Sequence, residues 1–349
     1  MSIILGDIIE QQISKRVFFS FCILALIIAS LDFVFIFLSE LSDLSNNYGV
    51  VDAFIYSLYK MPYIITGLLP YICLIAVLVA MGSLIEDGEI IGARSLGKSK
   101  KSIVFSTLRP IFLISILGLL SSQFLVPSSS QYAEENKLIK LERINPEKGY
   151  WISTDNYIGY ISAAPSTNYL QGITIFKLDN DFNPREILKA DHAQKVNKEW
   201  VLYNIDFLSP EKKYISKLLW NEGPSEGDLS LVLSPKYLSL SNLYKSISLV
   251  SSEYRKNSLE IEFLRKILQP IFIFSLVFFA SIFIFGPTKD MKLGQRVILG
   301  VLIAFSLSIF QRLLESLALA SFLSPIISST LPSLLIVTGA FLLFRRFTN

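Results

Sequence analysis

The chain has 349 residues, of which 52% are hydrophobic and 17% charged, with a mean hydropathy of +0.50. That is too apolar for a soluble protein of this length, and the composition is that of a membrane protein. The formal net charge of +3 is spread over many loops and gives no reason to expect a nucleic-acid partner.

A membrane-crossing helix needs roughly 20 apolar residues. Six stretches approach or exceed that: 17–40, 61–85, 103–126, 267–286, 297–320 and 326–344. The first follows Lys15 and Arg16, too late and too long for a cleaved signal peptide, so it is expected to stay in the chain. Cys22 and Cys73 both lie inside spans and read as small packing residues rather than as a disulfide.

Between the second and third spans runs EDGEIIGARSLGKSKKS. Its GARSLGKS, Gly92 to Ser99, fits the phosphate-loop pattern G-x-x-x-x-G-K-[ST]. A working phosphate loop needs a strand before it and a helix opening at the lysine, so that backbone N–H groups wrap the phosphates. Here a span ends near Ile85 and another starts near Ile103, with no strand between, so the nucleotide reading fails on context. A short helix at about 87–97 is expected instead, with Asp87 as N-cap, Ile90 and Ile91 as an apolar patch and Gly97 as terminator; the alternative is a solvated connecting loop whose lysines only fix topology.

After the third span the pattern changes to short β-rich runs: GYWIS, NYIGYISA, LQGITIFKL, REILKADHAQKV, EWVLYNIDFL, KYISKLLW and LSLVLS. Seven short strands separated by turn residues predict a sandwich or jelly-roll. His192, the single histidine, has no second ligand residue near it and reads as an ordinary strand residue. No Ser-His-Asp or Cys-His set forms around it, and no enzyme chemistry or cofactor is expected.

The expected fold is thus an α-helical integral membrane protein with six transmembrane helices and an all-β, jellyroll-like domain inserted between helices 3 and 4. Residues 1–126 hold the first three helices and the short helix, 127–262 the β domain with its connecting segments, and 263–349 the last three helices. Lys15, Arg16, Arg94, Lys98, Lys100, Lys101, Lys289, Lys292, Arg296, Arg345 and Arg346 all flank the spans on one side, whereas loops 42–53 and 321–331 hold no Lys or Arg. That asymmetry predicts cytoplasmic termini and a periplasmic large domain.

Several segments carry a family resemblance: QISKRVFFSF at the first span, GEIIGARSLGKSKKSI, LVPSSSQYAEENK, GYWISTDNYIGYI, LRKILQPIFIF and IFGPTKDMKLGQRVILG. With the layout of three spans, a domain and three spans, the chain resembles the LptF/LptG permeases of the bacterial lipopolysaccharide export transporter. The IFGP run and the G-x-W opening are closer to LptG. The resemblance implies an inner-membrane permease subunit without ATPase activity of its own, which would pair with an LptF-like subunit. A cytoplasmic LptB-like ATPase dimer would drive it, an LptC-like component would take lipid toward the outer membrane, and the β-jellyroll would pass lipopolysaccharide on.

It also implies that the short helix is a coupling helix docking in the ATPase, with the family's acidic position on Glu89 and with Ile90, Ile91 and Arg94 beside it. Against that stands the plainer reading of Glu89 as a first-turn acid favouring the helix dipole. One departure concerns the outer end of the first span. Family members often carry lysines there to meet lipid phosphates, but this chain reads LDFVFIFLSELSD, with Asp32, Glu40, Asp43 and no cation. Lys60 and Arg312 are the candidate replacements as lipid-headgroup ligands; the alternatives are that Lys60 snorkels to the interface and Arg312 pairs with Glu315. The competing functions are a secondary transporter and a membrane-anchored binding or scaffold protein.

Overall fold

A computed structural model describes residues 2–141, 149–153, 157–179, 184–197, 199–208, 213–221, 223–224, 229, 233–250, 252–285 and 291–348. Helices α1 (Ser2–Leu41), α2 (Val50–Glu86), α3 (Glu89–Ser95), α4 (Lys100–Leu120) and α5 (Val126–Leu141) come first. Strands β1 (Tyr150–Ser153), β2 (Tyr157–Ala163), β3 (Tyr169–Leu178), β4 (Pro184–Val196), β5 (Glu199–Phe207) and β6 (Lys213–Trp220) follow. Helices α6 (Leu240–Ile247), α7 (Glu253–Phe285), α8 (Leu293–Leu319) and α9 (Pro325–Thr348) complete the order.

Among the described residues six helical stretches are long and apolar enough to cross a membrane: Ile8–Leu41, Val50–Glu86, Lys100–Leu141, Glu253–Ser281, Leu293–Leu319 and Pro325–Leu342. Each contains most of one stretch read from the sequence. The third runs on past its expected end at 126, because α4 passes into α5 through a five-residue π-turn, Ser121–Leu125. Pro127 explains the turn: in a regular α-helix its ring would strike the carbonyl of Gln123, and the wider turn relieves that clash without ending the helix.

Packing divides the chain into two compact units, one of Met1–Val34, Met61–Leu125 and Ser251–Asn349, the other of Phe35–Lys60 and Val126–Val250. The first is a helical body whose core centres on α2 and α7, with Leu74, Met81, Leu84, Ile273 and Leu276 fully withdrawn. Two helices are peripheral in it. No residue of α1 from Phe18 to Val34 is buried, and none of α8 from Phe305 to Leu317.

The second unit contains a six-stranded antiparallel sheet in the order β1-β2-β3-β4-β5-β6. Six of the seven runs read from the sequence are its strands; the centre of the seventh, 230–232, lies outside the described residues. A crease crosses the sheet. The regular pairing omits the rung at Ser162 opposite Gly172, then Gly172 opposite Asp191, Asp191 opposite Asn204, and Asn204 opposite Ser216. Gly172 and Asn204 have φ of 63° and 52°, which switches the side to which the following side chains point. Leu170 before the crease and Ile173 and Ile175 after it therefore bury in the same core, as do Trp200, Leu202 and Ile205 on β5. Side chains tie the crease together: Ser162 donates to the Gly172 carbonyl at 2.9 Å and Asn204 to Asp191 at 2.9 Å across two of the omitted rungs, and Tyr214 donates to Asn204 at 2.9 Å.

Candidate functional site

The loop after α2 folds as a helix–turn–helix. Gly88, with φ of 76°, occupies the N-cap position that the sequence suggested for Asp87, and no side chain caps α3. Asp87 is drawn off to Arg16 of α1, 3.3 Å away. At the other end the amide N–H groups of Gly97 and Lys98 close back on the carbonyls of Arg94 and Ala93, and Gly97 takes φ of 87° as a left-handed terminator should. Ser99 then caps α4 by accepting from the Ser102 amide.

This disposes of the phosphate-loop pattern residue by residue. Gly92 is inside α3, the Ser99 hydroxyl is a helix cap, and Lys98 is held by Glu10 at 2.6 Å. Glu10 also receives Ser102 at 2.7 Å and Arg109 at 2.7 Å, so the lysine belongs to a four-residue ionic cluster.

The two isoleucines part company. Ile90, with Ala93, is buried against the helical core, while Ile91 is 69% exposed. Arg94 and Leu96 share the outer face of the turn. Glu89 is partly sheltered, accepting from Gln12 at 2.8 Å and lying 3.2 Å from Arg16. Ile91, Arg94 and Leu96 thus form an outward ridge on a helix whose inner face is anchored.

Lys60 and Arg312 fall in different compact units. Lys60 is only 5% exposed. Its ammonium lies 2.6 Å from Glu134 and 2.7 Å from the Tyr237 hydroxyl, over the Tyr237 ring at 4.0 Å. Tyr56 also donates to Glu134 at 3.1 Å. Burial, aided by the Glu134 charge, pushes the Tyr237 hydroxyl up to about 12. No buried side-chain atom of this knot is left without a partner, as burial in low dielectric requires.

The acids at the end of the first span are answered too. Lys137 of α5 reaches Glu40 at 2.8 Å and Asp43 at 2.9 Å, and Lys140 pairs with Asp52. Tyr48 donates to Glu40 at 2.9 Å, and burial followed by that bond raises its pKa. The cations missing from the end of α1 therefore stand on α5. A cavity of about 90 Å³ lies beside them, lined by Tyr48, Tyr56, Tyr132, Asn136, Lys137 and Lys140. Asp32 is different: half-buried, it has no cation or hydrogen-bond donor among the described residues.

Arg312 lies on the exposed side of α8 between Ile309 and Leu313, and among the described residues its side chain makes no hydrogen bond or ion pair. Glu315 is engaged elsewhere, by Gln311 at 3.1 Å and Arg265 at 4.0 Å. Local spacing missed the set to which it belongs. Tyr71 of α2 donates to Gln311 at 3.2 Å, and on α7 Glu262 pairs with Arg265 and Lys266. The signal was the E-x-x-R-K run of α7 inside a span.

His192 stacks between Tyr203, 4.7 Å away at 6°, and Tyr169, 5.7 Å away. Burial lowers its pKa, with Asp191 opposing. Tyr169 is pushed up to about 12 by burial and then by the charges of Glu135 and Asp191.

Compared with known proteins, residues 11–346 match the family model described as "Lipopolysaccharide export system permease LptF/LptG". The chain is 22% identical over 340 residues to the lipopolysaccharide export system permease protein LptG of Escherichia coli strain K12, covering 93% of this chain and 94% of that protein. To the protein of the same name from Haemophilus influenzae it is 22% identical over 316 residues, 86% of this chain and 87% of that one.

Proposed function

The chain belongs to the LptF/LptG family of lipopolysaccharide export system permeases, and from that premise we propose that it is a transmembrane subunit of an ABC transporter that extracts lipopolysaccharide from the inner membrane under the drive of a separate ATPase. The observation that carries this is the family match over residues 11–346. Both termini lie in the cytoplasm and the β-rich unit in the periplasm, as the distribution of basic residues argues. The sheet is the core of a jellyroll inserted between the third and fourth spans, and it passes lipid to an LptC-like component. An LptF-like subunit completes the permease.

Helix α3 is the coupling helix, and its outward ridge of Ile91, Arg94 and Leu96 meets an LptB-like ATPase dimer while Ile90 holds the helix to the spans. Glu89 is poised for exchange: half-sheltered and already facing a guanidinium, it can trade Arg16 for a basic residue of the ATPase at little net cost. Arg312 is the cation offered to a lipid phosphate, since an arginine on the open side of a span is expensive unless an anion meets it, and its planar fork suits phosphate. Lys60, the other headgroup candidate, is engaged by Glu134 and Tyr237 within its own unit.

The test is purification in mild detergent from native membranes. A second six-span subunit and an ATPase should come with the chain, Ile91→Asp should shed the ATPase, and lipid release from vesicles should require ATP. A chain that purifies alone would overturn the reading. The charges of Glu262, Arg265, Lys266 and Glu315 inside the spans favour a secondary transporter as second reading. Lipid movement driven by an ion gradient without ATP would establish it.

A further inference from the structure

Arg296 is among the largest fully buried side chains of the protein, at 1% exposure, and it takes no part in the sites above. It lies in the first turn of α8. Its Nη1 donates to the Gly82 carbonyl of α2 at 2.9 Å. A helix-interior carbonyl has a second lone pair beyond its intrahelical bond, so the guanidinium gains an acceptor without breaking α2.

The contact is built for closeness. A Cβ on Gly82 would stand 2.9 Å from the Leu293 side chain and 3.1 Å from Arg296 Nη1, so even an alanine there would push the Leu293 tip aside and crowd the guanidinium off its carbonyl. One turn further along each helix, Glu86 accepts from the Leu293 amide at 2.5 Å, satisfying a donor that the start of α8 would otherwise leave orphaned. One turn the other way, a Cβ on Gly300 would stand 2.6 Å from Leu78. The rungs Glu86–Leu293, Gly82–Arg296 and Leu78–Gly300 make an antiparallel seam with the charged pair of groups at its end. Beyond Ala304 no residue of α8 is buried until Ala318. The helix is thus fixed near its start and peripheral over the rest, and Glu86 stands two residues from Gly88, where α3 begins.

We propose that Arg296 is a positioning residue that locks the start of α8 to the end of α2, so that a displacement of α3 is delivered to α8. The inference rests on the reading of α3 as a coupling helix and adds the route by which its motion reaches a span. It needs a donor at Arg296 and a glycine at position 82, which makes it testable from both sides of the seam.

The experiment uses the assembled transporter in nanodiscs, with Cys22 and Cys73 replaced by serine and a single reporter thiol at Ser95→Cys on α3 or Leu313→Cys on α8. Thiol reactivity is followed with and without ATP, and lipid delivered per ATP hydrolysed is measured alongside. In the parent both reporters should respond to nucleotide. With Arg296→Met, which keeps bulk but removes the donor, and with Gly82→Ala, which keeps the helix, the Ser95→Cys response should persist and the Leu313→Cys response should vanish. Lipid delivered per ATP should fall between about twofold and thirtyfold, the span of measured couplings through packed elements. Arg296→Lys retains a donor and should restore part of the response. An intact Leu313→Cys response in either Arg296→Met or Gly82→Ala overturns the relay, as does a parent in which only Ser95→Cys responds. A parent in which neither reporter responds counts against the coupling-helix reading and the relay together.

Discussion

Around α3 the ion pairs are wet: Arg16 is 43% exposed and Glu89 31% exposed, and each has more than one partner. In the second unit the side chains of Lys60 and Glu40 are 6% and 8% exposed, and their partners surround them. The difference is one of exchange. Exposed pairs contribute little to stability and can be traded for a partner's charge, whereas a buried charge that loses its partner is stranded in low dielectric. The same residue chemistry therefore serves as a replaceable contact in one place and as a fixture in the other.

The sharpest way to break the comparison is at Glu134. Glu134→Ala strands Lys60, and the loss in unfolding free energy should be about 3–5 kcal/mol. Combining it with Lys60→Met should recover most of that loss in detergent melts, since an apolar side chain replaces the stranded charge. Next comes Lys137→Met, which leaves Glu40 with Tyr48 but no cation and should cost about 1–3 kcal/mol. Retention of stability within error would mean that this clasp is also exchangeable.

Glu89→Ala should lie at the other extreme, shifting stability by less than about 1 kcal/mol while reducing ATPase retention in a pull-down. An unchanged pull-down would return Glu89 to a structural acid. Lys98→Ala should be milder still, because Glu10 keeps Arg109 and Ser102, and nucleotide binding by the assembled complex should not change. Photolabelling of the chain at Lys98 by an ATP analogue would contradict this.

The smallest effect concerns pH. Burial depresses the His192 pKa in the folded state, so its contribution to stability is complete above the unfolded value and is lost as pH falls through the folded one. Melting temperature should therefore decline slightly more between pH 7 and 5 in the parent than in His192→Gln. Equal slopes would show that the stacked ring titrates as it does unfolded.

The spans and six strands were legible because each is written in local periodicity, apolar runs for the one and turn-bounded alternation for the other. Gly97 as terminator was legible for the same reason. The cap was not, since Asp87 has the right chemistry for capping and only the nearness of Arg16, 71 residues away, draws it off. Nor was α5: VPSSSQYAEENK lacks an apolar run, and what it offers is a row of charged partners for a distant segment. Lys60 read as an interfacial cation because its acid lies 74 residues on, beyond any spacing rule.

The crease in the sheet has a consequence for what changes the strands accept. Gly172 and Asn204 act as frame marks: the alternation of inward and outward side chains is counted afresh after each of them. Replacing a core residue on either side alters one contact, but a β-branched residue at a frame mark, which resists positive φ, would favour unbroken alternation at the same length and turn everything downstream to the other face. Ile173 and Ile175 would then leave the core together, as would Ile205 on its own strand. Backbone conformation is therefore more tightly constrained at these two positions than identity is at most of the buried ones.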